Sequence, residues 1–143
     1  MQIYNFTLTA PGGFTAEVAL SGTASLHDLA ALLIKAVGFD FDHCFEFCDN
    51  LKDPYRSKTR YTLFFDLGEG QPGDRSVKKT LVQDVFKPGT RLCFHFDYGD
   101  EWLFLVRCDS VETSAAKRKV SRVLSRSGTP PEQYPDYEEE PED

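Results

Sequence analysis

The chain is poor in the signatures that announce a reaction. It has no glycine-rich phosphate loop, no nucleophile elbow and no metal quartet. Its nearest glycine clusters, Gly12-Gly13 and Gly68-x-Gly70, are ordinary turn glycines. Long apolar runs are missing too. The longest, Leu29 to Ile34, stops at Lys35, and a membrane-spanning helix needs roughly 20 residues. The start, Met1-Gln2-Ile3-Tyr4, lacks the basic residues and apolar stretch of a secretory signal. These absences predict a cytoplasmic protein with no membrane partner. Cysteine is sparse: Cys44, Cys48, Cys93 and Cys108, expected as reduced thiols inside such a compartment. All four sit in apolar, strand-like runs and read as small half-buried hydrophobes. Cys44 and Cys48 have zinc-like C-x3-C spacing beside His43, but Phe45-Glu46-Phe47 between them is a poor turn. No metal site and no cofactor is expected.

What is present suits one folded domain. The chain has 143 residues, 41% apolar and 13% aromatic, and domains most often run roughly 100–150 residues. Its formal charge is −7, from 16 basic and 23 acidic side chains, which excludes a uniformly basic nucleic-acid coat protein. The charge is uneven. Residues 1–131 balance, with a basic cluster of Lys117, Arg118, Lys119, Arg122 and Arg126 near the end of that stretch. Every net negative charge falls in residues 132–143, which carry seven acids and no base. Acidic runs repel themselves and stay extended, so residues 1–134 are read as the domain and 135–143 as a disordered tail. Val120, Val123 and Leu124 interleave the basic residues. That pattern fits a charged edge strand better than a nucleic-acid contact, which stays as the second reading.

Periodicity sets the elements. Residues 2–9 alternate as a strand, Pro11-Gly12-Gly13 turns, and Phe14 to Leu20 returns. Leu26, Leu29, Ala30, Leu33 and Val37 then follow helical spacing. Ser25 and Asp28 form a capping-box pattern, and Gly38 supplies a left-handed end, giving a helix over 25–38. Strands are expected at 43–48, at 60–67 centred on Leu63-Phe64-Phe65, at 91–97, at 101–111 and at 118–125. A short helix capped by Thr80, with Gln83 as its reciprocal partner, precedes Lys87-Pro88-Gly89. The order ββα-ββ-(short α)-βββ predicts an α+β fold, a mostly antiparallel sheet with one long helix packed on it.

The segment Phe94 to Trp102 is the unusual one. Asp97, Asp100 and Glu101 crowd one turn beside His95 and the single tryptophan, Trp102. Gly99 is expected to supply a positive φ for a tight turn. A two-residue connection would put Cys93, His95 and Asp97 on one face with Trp102 and Phe104, opposite a core face of Phe94, Phe96, Leu103 and Leu105. A three-residue loop would flip that pairing. The structural reading has Asp97 closing its own turn, and the Trp102 indole N–H meeting a backbone carbonyl. The functional reading gathers His95, Asp97, Asp100 and His43 at one pocket, where carboxylates stabilise a charged histidine.

These residues carry a family resemblance. Phe96-Asp97-Tyr98-Gly99-Asp100-Glu101-Trp102 resembles the YDFGDxW signature of the Ri-plasmid ORF-three-like proteins, also known as transposon-passenger, resolvase-like proteins. Ser25-Leu26-His27-Asp28-Leu29, the block from Gly38 to Phe47 and the ending Gly128 to Pro135 agree in order. The resemblance implies a compact prokaryotic α+β domain, free-standing or fused, with no established activity. It maps the family's shared residues onto His43, Asp97, Gly99, Asp100 and Trp102. A serine resolvase needs a nucleophilic serine among arginines near its start, and residues 1–20 contain neither. A helix-turn-helix is also lacking, because one long helix is predicted. Three functions follow as expectations. The first is a non-enzymatic binding module using the His95/Asp97/Asp100/Trp102 hairpin face for a protein or small molecule. The second is a metal-dependent or acid/base enzyme centred on Asp97, Asp100 and His43. The third is a nucleic-acid accessory protein of mobile elements using Lys117 to Arg126.

Overall fold

The computed structural model describes residues 1–115 and 117–134; the run expected to be a disordered tail, 135–143, lies outside them. The elements are β1 (Gln2–Thr9), β2 (Thr15–Ser21), α1 (Leu26–Val37), β3 (Phe45–Cys48), β4 (Arg60–Thr62), α2 (Leu63–Asp66), β5 (Arg75–Ser76), α3 (Val82–Val85), β6 (Arg91–Phe96), β7 (Trp102–Thr113) and β8 (Ser121–Ser127). All eight strands join one sheet in the order β5-β4-β3-β6-β7-β1-β2-β8. Among the described residues only the β4–β5 pair is parallel. The predicted α+β architecture with one long helix is therefore the observed one. No helix among the described residues is long and apolar enough to cross a membrane.

Helix α1 forms where its periodicity placed it. Ser25 accepts the Asp28 N–H at 3.0 Å, and the Asp28 carboxylate accepts the Ser25 N–H at 3.1 Å, closing the capping box. Gly38 ends the helix at φ 87°, a conformation that costs glycine no Cβ clash. Leu26, Leu29, Ala30, Leu33, Ile34 and Val37 are buried over β2 and β8. The helix end gains one further partner, since Arg126 Nε of β8 donates to the Ala36 carbonyl at 2.8 Å.

Four local expectations need correction. Residues 60–67 are not one strand. The chain leaves β4 at Thr62, whose hydroxyl accepts the Phe65 N–H at 3.1 Å and starts the single turn α2. That turn aims Asp66 at the Val77 N–H, 2.9 Å away, while Phe65 stays exposed. The short helix α3 is capped at Leu81, not by the Thr80 side chain. Its first N–H groups go to other carbonyls, Val82 to Ala24 at 2.8 Å and Gln83 to Gly22 at 3.0 Å, so no capping side chain is needed. The last strand starts at Ser121, which leaves Lys117, Arg118 and Lys119 before it. The fourth correction concerns the β6–β7 hairpin and is described with the site.

Replacing Ser25 with alanine removes one half of the capping box. It is expected to lower stability by about 1 kcal/mol, measured by urea unfolding, with no change in the far-ultraviolet spectrum at 25 °C.

Candidate functional site

The hairpin closes by a longer loop than a two-residue turn. Phe96 pairs with Trp102, His95 with Leu103 and Phe94 with Phe104. The Glu101 N–H donates to the Asp97 carbonyl across the loop, at 2.6 Å, which leaves Tyr98-Gly99-Asp100 between them. Asp97 (φ 65°) and Glu101 (φ 52°) take the left-handed conformation, not Gly99. Gly99 instead brings its N–H to Asp97 Oδ1 at 3.0 Å, and the Asp100 N–H reaches the same oxygen at 3.2 Å. Asp97 thus closes its own turn, and aspartate tolerates left-handed backbone better than most residues.

This register overturns the expected faces. Phe94, Phe96, Trp102 and Phe104 share the core side, where Trp102 meets the Phe39 ring edge-on at 5.0 Å. Its indole N–H is buried without a hydrogen-bond partner among the described residues, not on a carbonyl. His95 and Leu103 share the other face. Asp97, though next but one to His95, turns away from it through its positive φ. The four residues expected on one surface therefore divide: His95 on one side, Asp97 at the tip, Trp102 half-buried against the core on the other side and Asp100 exposed.

Asp97 belongs to a cluster with His43. His43 Nε2 lies 3.1 Å from Asp97 Oδ2, and its Nδ1 lies 3.1 Å from Asp42 Oδ1. The Asp97 contact has ion-pair distance but not hydrogen-bond alignment. Both contacts are charge pairs while the imidazole is protonated. Asp42 in turn anchors the C-terminal segment. Its Oδ2 accepts the Tyr134 hydroxyl at 2.7 Å and its Oδ1 accepts from Gln133 Nε2 at 3.1 Å. Gln133 also clamps the backbone of Asp40, accepting its N–H at 2.7 Å and donating to its carbonyl at 3.1 Å. The Tyr134 bond holds the Asp42 carboxyl below the usual 3.8, and pushes the Tyr134 hydroxyl up to about 12.

The other face of the hairpin holds a second cluster that sequence reasoning missed. Glu46 of β3 stands opposite His95 of β6 and Thr62 of β4. His95 is fully buried, with Nδ1 3.2 Å from Glu46 Oε1. The rings of Tyr98 and Tyr55 meet it edge-on at 4.6 and 5.6 Å. Arg60 Nε sits 3.7 Å from Glu46 Oε2 and 3.4 Å from Asp74 Oδ1. A cavity of about 400 Å³ opens here, lined by Glu46, Tyr55, Arg60, Phe64, Asp74 and Tyr98 among others. Burial and the charge of Glu46 push the Tyr98 hydroxyl far above its ordinary range. The Tyr55 hydroxyl rises to about 12, chiefly because it donates to Glu101. The one sequence signal for this cluster was an acid set inside the apolar run Phe45-Glu46-Phe47.

The remaining candidates stay apart. Lys117, Arg118, Lys119, Arg122 and Arg126 are exposed, and β8 is an edge strand. Arg126 is engaged by the end of α1. Cys48 and Cys93 face each other across β3 and β6 as free thiols, and Cys44 lies outside β3. Among the described residues, no three His, Cys, Asp or Glu side chains converge as a metal-ligand set.

Comparison with known proteins supplies a family. The family described as plasmid pRiA4b ORF-3-like protein matches residues 16–139, so the chain belongs to it. No curated protein matches. The crystal structure of a protein of unknown function from Methanosarcina mazei Go1 is similar, with a TM-score of 0.71 and 15% identity. The likeness covers 90% of this chain and 71% of that one, and at that identity it shows the fold alone.

Two outcomes follow from the geometry. Asp97→Asn keeps an oxygen for the Gly99 and Asp100 N–H groups, so it is expected to cost under about 1 kcal/mol, whereas Asp97→Ala strands both donors and costs about 2–3 kcal/mol; paired urea curves separate them. The Asp42–Tyr134 contact holds at neutral pH. It weakens as pH falls through the lowered Asp42 pKa, and again as pH rises from 10 towards about 12, where Tyr134 ionises. Tyr134→Phe should therefore raise the Asp42 pKa, read by carboxyl-carbon NMR titration.

Proposed function

We propose that the chain is a non-enzymatic binding module whose ligand seat is the cavity on the His95 side of the hairpin. One observation carries this reading. Glu46 is 1% exposed and lines an open cavity, yet its Oε2 makes no hydrogen bond among the described residues and has only the 3.7 Å ion-pair approach of Arg60 Nε. A buried carboxylate oxygen left without a donor is costly. A ligand donor reaching that oxygen would complete its hydrogen bonding, which supports an occupant here. The volume also suits a small molecule. Tyr55, at the mouth, is exposed enough to admit one.

The acid/base reading centred on Asp97, Asp100 and His43 draws on the 3.1 Å His43–Asp97 contact. Against it, both imidazole nitrogens are already engaged by carboxylates, Asp42 and Asp97. We take this cluster as the fastening of the C-terminal segment and the hairpin tip. Free thiols at all four cysteines suit a reducing cytoplasm, and the plasmid in the family's name supports a place on mobile elements.

A screen of small polar fragments, read by the ring resonances of Tyr55 and Tyr98, tests the seat. Binders are expected that shift both rings, and Gln71→Trp at the cavity mouth should abolish those shifts. Fragments that bind elsewhere only, or none binding at all, would remove the basis for the assignment.

A further inference from the structure

We propose that the cavity beside Glu46 takes an organic cation, a small ligand headed by an alkylammonium or guanidinium group. The inference rests on the reading of this cavity as the ligand seat and names what it selects. Charge comes first. The lining holds three carboxylates, Glu46, Glu69 and Asp74, against one guanidinium, Arg60. Arg60 is engaged chiefly by Asp74, with Nε at 3.4 Å and Nη2 at 3.5 Å from Oδ1. Its approach to Glu46 Oε2, 3.7 Å, makes no hydrogen bond. Asp74 Oδ2 is already occupied by the Gln71 N–H at 2.9 Å. Glu46 Oε1 faces His95. Glu46 Oε2, held only by that 3.7 Å approach, is therefore the least satisfied buried acceptor of the lining, and an ionised carboxylate accepts but does not donate. The occupant must bring an N–H or O–H, and a positive one is stabilised most.

The walls favour the same class. Tyr55, Phe64 and Tyr98 line the space, and the Phe64 and Tyr98 rings lie 5.2 Å apart at 35°. Aromatic faces attract cations through their negative quadrupole and shelter an alkyl chain at the same time. An anion would meet Glu46, Glu69 and Asp74 together, with Arg60 already paired. A bare metal ion lacks the clustered ligands it needs among the described residues. An organic cation satisfies the buried oxygen, the excess of carboxylates and the aromatic walls at once.

Titration of the intact protein with methylguanidinium, methylammonium, acetate and methyl phosphate at equal ionic strength tests this, read by the Tyr55 and Tyr98 ring signals. One or both cations should shift the two rings in a saturable way, and the anions should not. Glu46→Gln should weaken the cation at least about tenfold. Tyr55→Leu, at an exposed position, should weaken it by a smaller factor, read by the Tyr98 ring alone. Anions that shift the rings while cations do not would overturn the cation assignment and leave the seat standing. Cation binding unchanged in Glu46→Gln would also overturn it. If none of the four probes moves either ring while fragments of other chemistry do, the cation class falls alone. If fragments fail as well, the seat falls with it.

Discussion

The carboxylate of Asp97 is the contact on which the rest of the site depends. One oxygen gathers the Gly99 and Asp100 N–H groups and so fixes a loop that ends left-handed at both sides. The other oxygen faces His43. A loop closed this way pairs even residues of β6 with even residues of β7. A one-residue slip in pairing would exchange the faces of a whole strand. His95 would then share a face with Trp102 and Phe104. With the observed register, the hairpin sends its aromatic side chains to Phe39 and the core, and its histidine to the polar cluster at Glu46.

Strand β6 is buried on both faces, and the two burials differ in kind. On one side Phe94 and Phe96 join Phe45, Phe47 and Phe104 in the core. On the other, Glu46 and His95 lie under Tyr55 and Tyr98. Apolar burial stabilises through area removed from water. Polar burial holds only where partners are found. Among the described residues, the buried side-chain polar atoms that make no hydrogen bond are Glu46 Oε2, His95 Nε2, Asp97 Oδ2 and Trp102 Nε1, all on the β6–β7 hairpin or on β3 beside it. That concentration supports the proposed ligand seat beside Glu46.

The sequence carried most of the fold and less of the site. Local patterns sufficed for α1, because Ser25, Asp28 and Gly38 act within one turn of the helix ends. The run Leu63-Phe64-Phe65 misled, since a single hydroxyl at Thr62 turned an apolar segment from strand to helix. The hairpin residues were rightly singled out by their unusual acid and aromatic content. Their grouping was not legible, because it depends on loop length, and Gly99 suggested a tighter turn than Asp97 and Glu101 allow. Glu46, Arg60 and Asp74 come from three separate segments, and only pairing across β3, β4 and β5 brings them together. The clasp of Gln133 and Tyr134 on Asp40 and Asp42 likewise spans more than ninety positions.

Cross-strand nuclear Overhauser contacts between β6 and β7 test this account most directly. In solution, His95 is expected opposite Leu103 and Phe94 opposite Phe104. Contacts placing His95 opposite Trp102 or Phe104 would contradict it, because that pairing puts the histidine on the tryptophan side and dissolves the cluster at Glu46.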